Sequence, residues 1–344
     1  MWLVSVRDLI WRRRRFAIAV AATGLVFALA LLLSGISASF DNEIERTTAS
    51  FGADRWFVAA GNFGPFTAPS AFPASRVRAV RALPGITEAD PVAMVSATTT
   101  TPRKRSVNVI GAVPGGVGPA PEGSFTEETD ALADDSLGLD VGDTLSLNGA
   151  AFTVRGITHG RTYFAGIPTV VVSLRAAQRL GLGERPLATA IVARGTPRSL
   201  PSGFTALTNS EVAVDLSRPV AQAKQTISLV RWLLWIVAAG IIGAIVYLSA
   251  LERTTEFAVL KAIGVSTRDV ALGLISQAVL LAILAVALAI LLEIAAAPAA
   301  AMSVEVPVVS YLALPLLALA VGVLASSLGL RRALRVDPAL AFGS

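Results

Sequence analysis

Leu251-Glu252-Arg253-Thr254-Thr255-Glu256-Phe257-Ala258-Val259-Leu260-Lys261-Ala262-Ile263-Gly264-Val265-Ser266-Thr267-Arg268-Asp269 lies between two long apolar runs. It is too short for a domain and too regularly patterned for a tether. In a helix, Phe257, Leu260 and Ile263 recur three apart and Val259 meets Ile263 at four, so an apolar stripe forms beside Glu252, Arg253 and Glu256. Gly264 can end that helix, and Ser266 followed three residues later by Asp269 predicts a cap for the next one. The stripe needs a cover, either lipid or protein. Three acids against three bases argue for protein, because a lipid-seeking face should be net basic.

Working outward, four uncharged runs are long enough to cross a bilayer: Phe16 to Phe40, Trp232 to Leu251, Val270 to Leu292 and Val306 to Leu330. They account for a mean hydropathy of +0.66, too high for an ordinary soluble chain of this length. The net charge of +5 does not point to nucleic acid. Residues 41–226 hold 17 Lys plus Arg and 17 Asp plus Glu, so that segment is neutral. The surplus sits in Arg7 and Arg12 to Arg15 before the first run and in Arg331, Arg332 and Arg335 after the last. This distribution predicts both termini in the cytoplasm, the 252–269 segment on the same side, and residues 41–226 outside. The first run exceeds the apolar core of a cleavable signal and is expected to stay as an anchor. Ahead of it, Trp2, Val6, Leu9 and Ile10 share a helical face suited to the inner leaflet.

Between the first two runs, strands are expected over Phe51 to Ala59, Val92 to Thr100, Ser106 to Gly111, Thr169 to Leu174 and Ala188 to Ala193. Short helices are expected over Arg76 to Leu83, Asp130 to Leu137 and Arg175 to Leu180. Asn148-Gly149 between alternating segments predicts a hairpin of Thr144 to Leu147 with Phe152 to Ile157. Strands interspersed with short helices indicate an α+β domain. The loop Gly61 to Pro73 carries Phe63, Phe66 and Phe72, either a contact for an outer partner or an amphipathic substrate, or equally a set of rings that packs under its own domain.

The ordered set Glu252, Arg253, Glu256, Lys261, Ala262 and Gly264 after the second run resembles the permease subunits of ABC transporters of the MacB and FtsX type, the mechanotransmitting (type VII) exporters. Leu83-Pro84-Gly85-Ile86, Val109-Ile110-Gly111, Leu139-x-Val141-Gly142-Asp143-Thr144 and the ending Arg331 to Ala339 are similar to that family in the same order. The resemblance implies an α-helical membrane protein with four transmembrane helices and a large extracytoplasmic α+β domain, a MacB-like periplasmic core of two lobes, inserted between helices 1 and 2. The expected order is a cytoplasmic amphipathic segment 1–15, helix 16–40, the outer domain 41–226, helix 228–251, a cytoplasmic coupling helix 252–269, helix 270–292, an outer loop 293–305, helix 306–330 and a cytoplasmic tail 331–344, in a bacterial inner membrane. It further implies that Glu252, Arg253, Glu256, Phe257, Leu260, Lys261, Ile263 and Gly264 dock on a separate ABC ATPase subunit. ATP and Mg would be bound by that subunit, and the permease would pair with a second copy or a paralogue among membrane lipids. The implied work is export or extraction of an amphipathic substrate. An alternative within the resemblance is FtsX-like signalling to a cell-wall hydrolase or sensor without transport.

Chemistry within the chain finds little support. The only lysines, Lys104, Lys224 and Lys261, follow Arg, Ala and Leu, so no Lys stands directly after Gly as a phosphate-cradling loop requires. His159 is the sole imidazole and is expected at the surface. Glu127, Glu128, Asp130, Asp134 and Asp135 lack the spacing of a calcium loop and are expected on a solvated helix face. No metal ligand set or catalytic cluster is expected. Glu293 lies far enough along the third run to reach the outer boundary of the bilayer, where an interfacial carboxylate is expected.

Overall fold

Thirty-seven residues rich in Ala, Leu and Val, Arg13–Ala49, form one helix, α1. The computed structural model describes residues 13–121, 123–252, 256, 259, 263–296, 306–313, 316, 319 and 320. The chain divides into two compact units, Met1–Ser39 with Lys224–Ser344, and Phe40–Ala223. Two further long helices complete the described helical framework: α4 over Asn209–Glu252 and α5 over Thr267–Ala296. Three helices among the described residues are long and apolar enough to cross a membrane. Most of the expected fourth run, Val306 to Leu330, lies outside the described residues, as do residues 1–12 and 331–344.

The apolar unit packs through small and branched side chains at helical spacing. Ala238, Ile242 and Val246 of α4, four apart, are buried with Phe27 and Leu31 of α1 and with Ala278, Leu281 and Ala285 of α5. Gly24 brings α1 close to α5, since a Cβ there would stand 2.9 Å from Leu288 Cδ2. Two polar ties join helices within this apolar surrounding. Gln277 Nε2 of α5 donates to Ser249 Oγ of α4 at 3.0 Å, both side chains buried. Tyr311 donates its hydroxyl to Glu293 Oε2 at 2.8 Å, and Glu293 is buried.

The second unit is built on a ten-stranded sheet. Its strands in chain order are β1 Arg55–Ala59, β2 Phe72–Pro73, β3 Ile86–Thr99, β4 Arg105–Ala112, β5 Asp130–Asp134, β6 Thr144–Leu147, β7 Ala150–Thr158, β8 Thr162–Tyr163, β9 Ile167–Ser173, β10 Leu187–Ala188, β11 Ala190–Gly195 and β12 Phe204–Leu207, with helices α2 Val77–Arg81 and α3 Leu174–Gly181. The neighbour order is β12-β1-β11-β3-β4-β9-β5-β7-β6, with β8 on β9, while β2 and β10 form a separate pair.

The fourteen-residue β3 organises both lobes. Its first half pairs with β11, from Ile86 opposite Gly195 to Val92 opposite Ala190. Its second half pairs with β4, from Ala93 opposite Gly111 to Thr99 opposite Arg105, and Thr99 also meets Leu147 of β6. One core lies with α2 and contains Phe57, Val80, Ile191 and Phe204. The other lies with α3 and contains Val109, Leu145, Val154 and Val172. Asn148 and Gly149 adopt φ of 49° and 86°, the backbone a two-residue hairpin requires, and β6 pairs with β7 around them.

One expectation is overturned. Asp130 to Leu137 is not a solvated helix: Asp130–Asp134 is the wholly buried strand β5, parallel to β7 and antiparallel to β9, followed by a single 3-10 turn. Ala131, Leu132 and Ala133 favour a helix locally, but pairing on both sides outweighs that preference. The two acids are buried because backbone donors meet them. Asp130 accepts from the N–H groups of Thr126 and Glu127 at 2.7 and 2.8 Å and from Arg155 Nε at 2.8 Å. Asp134 accepts from the N–H groups of Ser136 and Arg161. Burial works to raise the Asp130 pKa, but the Glu127 N–H, the Thr126 hydroxyl, Arg155 and the Thr126 N–H together outweigh it and leave the carboxyl at about 2.

Because the folded pKa lies below the unfolded value, the stabilisation from Asp130 is present above pH ~4 and is lost as pH falls toward ~2. Asp130→Asn is expected to lower the thermal unfolding midpoint at pH 7 by roughly 4–8 °C, the equivalent of on the order of 2 kcal/mol. The gap between variant and wild type narrows as pH drops from 4 to 2, and thermal melts across that range check it.

Candidate functional site: the inter-helix segment and the helix junction

Helix α4 continues to Glu252, and Glu256 and Val259 are also helical. The Ile263 N–H donates to the Val259 carbonyl at 3.1 Å, after which Gly264, at φ 95°, turns the chain. Ser266 then caps α5: its Oγ accepts from the Asp269 N–H at 3.2 Å and donates to Asp269 Oδ2 at 2.7 Å. Val259 and Ile263 are 48% and 73% exposed, while Val265 packs on the apolar core. Apolar side chains at four-residue spacing are therefore uncovered in this segment, with Glu252 and Glu256 also exposed. Arg253, Phe257, Leu260 and Lys261 lie outside the described residues.

Packing divides the aromatic loop between the two readings. Phe63 is 70% exposed, but Phe66 and Phe72 are 6% and 5% exposed and present no surface to a partner. Phe72 lies in β2 with its ring edge-on to Phe204 at 5.1 Å, and Phe66 packs against Phe51, Trp56 and Tyr163. Only Phe63 of the three remains open, with the Arg218 guanidinium 5.2 Å from its ring centre. His159 is exposed as expected and stands 2.9 Å from Asp135 Oδ2. Among the described residues no group of His, Cys, Asp and Glu could hold a metal ion.

A second constellation was not anticipated from the sequence. Asp215 of α4 is fully buried and accepts from the N–H groups of Phe66 and Thr67 at 2.9 and 3.3 Å, and from the Thr67 hydroxyl. At the start of the same helix, Asn209 accepts from Trp56 Nε1 at 2.7 Å and donates to the Ala53 carbonyl at 2.9 Å. On the last turns of α1, Glu43 accepts from the Ala165 and Gly166 N–H groups at 3.1 and 2.7 Å, and the Thr47 hydroxyl donates to the Thr162 carbonyl at 3.1 Å. The legible signal is an acid on an apolar helical face. Asp215 falls among the buried Val212, Leu216 and Val220, and Glu43 among Phe40, Ile44 and Thr47.

Comparison with known proteins covers the whole chain. Residues 16–216 match the model of the MacB-like periplasmic core domain, and residues 228–338 match that of the FtsX-like permease C-terminal region. An uncharacterized ABC transporter permease of Mycobacterium bovis is 40% identical over 347 residues, covering 100% of this chain and 99% of its own. Another from Mycobacterium tuberculosis is 40% identical over 350 residues, with the same coverage. Among solved structures, the periplasmic region of MacB from Actinobacillus actinomycetemcomitans aligns with a TM-score of 0.35 at 10% identity, covering 51% of this chain and 98% of that one.

Gly64 is required by the Asp215 ring of bonds, because a Cβ at that position would stand 2.0 Å from Asp215 Cγ. Gly64→Ala is expected to displace either the loop or the carboxylate and to lower stability by about 1–3 kcal/mol. Thermal unfolding of the purified chain measures this.

Proposed function

The chain belongs to the MacB/FtsX-type permeases of ABC transporters, and from that premise we propose that it converts ATP-driven motion of a separate ATPase subunit into motion of its own β-rich unit. An ABC transporter permease implies an ATPase partner; that the partner is a distinct polypeptide is supported by the lysine positions, none of which fits a phosphate-cradling loop. The segment from Glu252 to Asp269 docks on that partner. Its uncovered Val259 and Ile263, in register with Phe257 and Leu260 in the sequence, supply the apolar contact, and Glu252, Arg253, Glu256 and Lys261 orient it.

The observation that carries the reading is the length of α1 and α4. At 37 and 44 residues they measure roughly 55 and 65 Å, well beyond the ~30 Å apolar thickness of a bilayer. Each belongs to the apolar unit over part of its length and to the β-rich unit over the rest: Phe40 to Ala49 of α1 and Asn209 to Ala223 of α4 lie in the latter. A continuous helix transmits displacement along its axis, so a push at the inter-helix segment is carried by α4, which lacks only the backbone donor of Pro219, into the β-rich unit. The Ser249–Gln277 tie makes α5 move with it.

In this arrangement both termini are cytoplasmic, residues 306–330 form the fourth span, the β-rich unit faces outward from a bacterial inner membrane, and the permease works as a pair with a second copy or a paralogue. Its cargo is an amphipathic molecule expelled or extracted on the outer side, because four spans per subunit offer few walls for a solute channel.

Phe257→Asp is expected to abolish stimulation of the ATPase copurifying with this chain, while membrane insertion is unchanged. Assay of ATP hydrolysis in the reconstituted complex tests it, and stimulation at the wild-type level counts against docking through this stripe. Hydrolysis indifferent to amphipathic compounds, with a cell-wall hydrolase copurifying, would instead favour signalling without transport.

A further inference from the structure

Resting on the proposed transmission function, we infer that Glu43 and Asp215 are its positioning residues at the far end: two buried carboxylates through which α1 and α4 each grip one loop of the β-rich unit. Both sit on long helices, both are buried, and both bond to backbone N–H groups rather than to a basic side chain. A carboxylate held by amides fixes the path of a loop, whereas an ion pair fixes only a side chain.

The loop held by Glu43 is one that would not hold itself. Phe164 and Ala165 adopt φ of 61° and 65°, followed by Gly166 at 83°, and two consecutive non-glycine residues in the left-handed region are unfavourable without outside support. Glu43 provides that support at the N–H groups of Ala165 and Gly166, and Thr47, one turn on, bonds the carbonyl of Thr162 at the loop's start.

The two gripped loops meet. Phe66, whose N–H bonds Asp215, stands edge-on to Tyr163 at 5.2 Å, and Tyr163 stands edge-on to Phe164 at 4.8 Å. Phe66 also packs on Trp56, whose indole N–H bonds Asn209 at the start of α4. Displacement of either helix therefore reaches the same aromatic cluster, and through β8 and its partner β9 it enters the sheet. The clasps stay closed while the helices move; they transmit rather than release.

The test uses the full-length chain in complex with its ATPase in lipid nanodiscs, reading hydrogen exchange across residues 55–207 with and without ATP. In Glu43→Gln, one acceptor oxygen becomes a donor facing an N–H group, so exchange at Ala165 and Gly166 is expected to rise about tenfold. The ATP-dependent change in the sheet is expected to be lost while hydrolysis by the partner continues. The chain has no Cys, so Thr47→Cys with Thr162→Cys supplies the only thiol pair. Oxidising that pair in the Glu43→Gln background is expected to restore the ATP-dependent change, which a purely structural role for Glu43 would not predict.

An undiminished ATP response in Glu43→Gln overturns the inference. So does loss of the response when the cysteine pair is oxidised with Glu43 intact, a variant that remains informative if Glu43→Gln fails to fold. Absence of any ATP response in the wild-type complex would overturn the transmission reading itself, and the inference with it.

Discussion

Continuity of backbone hydrogen bonding along α1 and α4 is the constraint on which the rest of the molecule depends. Where these helices cross lipid, every N–H and C=O must be satisfied within the helix, because no water is available to bond them. The same ladder then runs on into residues that belong to the β-rich unit. The helices are thus both the membrane anchor and part of the β-rich fold. Pro219 is the one interruption in α4; it cannot donate to the carbonyl of Asp215, whose side chain is engaged with Phe66 and Thr67.

Buried polar groups divide by what satisfies them. In the apolar unit two ties run side chain to side chain, Ser249 with Gln277 and Glu293 with Tyr311, while the Ser39 hydroxyl donates to the Gly35 carbonyl of its own helix. In the β-rich unit the buried acids Glu43, Asp130, Asp134 and Asp215 bond chiefly to backbone amides. The first kind ties helices together, and the second fixes loops that have no regular structure of their own. With no cysteine in the chain, these carboxylates give the loops a definite path where disulfides are unavailable.

Much of the architecture was legible because its signals were local. Apolar run length marked three helices, Asn148-Gly149 marked the β6–β7 turn, and Ser266 with Asp269 marked the start of α5. What failed was non-local. Asp130 to Asp134 reads as helix by composition and becomes strand because β7 and β9 flank it. The phenylalanines at 66 and 72 look alike in a Gly/Pro-rich loop and are buried because Trp56, Tyr163 and Phe204 come from distant parts of the chain. Likewise Asp215 and Glu43 look like ordinary helical acids until the loops 64–67 and 163–166 are placed beside them.

The pairing of β1 bears on biosynthesis. Among the described residues its ladder partners are β11 and β12 alone, so the first strand to emerge from the ribosome has neither to pair with until Ala190 and then Phe204 have been translated. Trp56, Phe57 and Val58, all wholly enclosed in the finished protein, are left bare throughout that interval. This half of the sheet can close only after β11 and β12, which directly precede α4 in the chain, have been made. The newborn segment must be shielded from self-association while it waits.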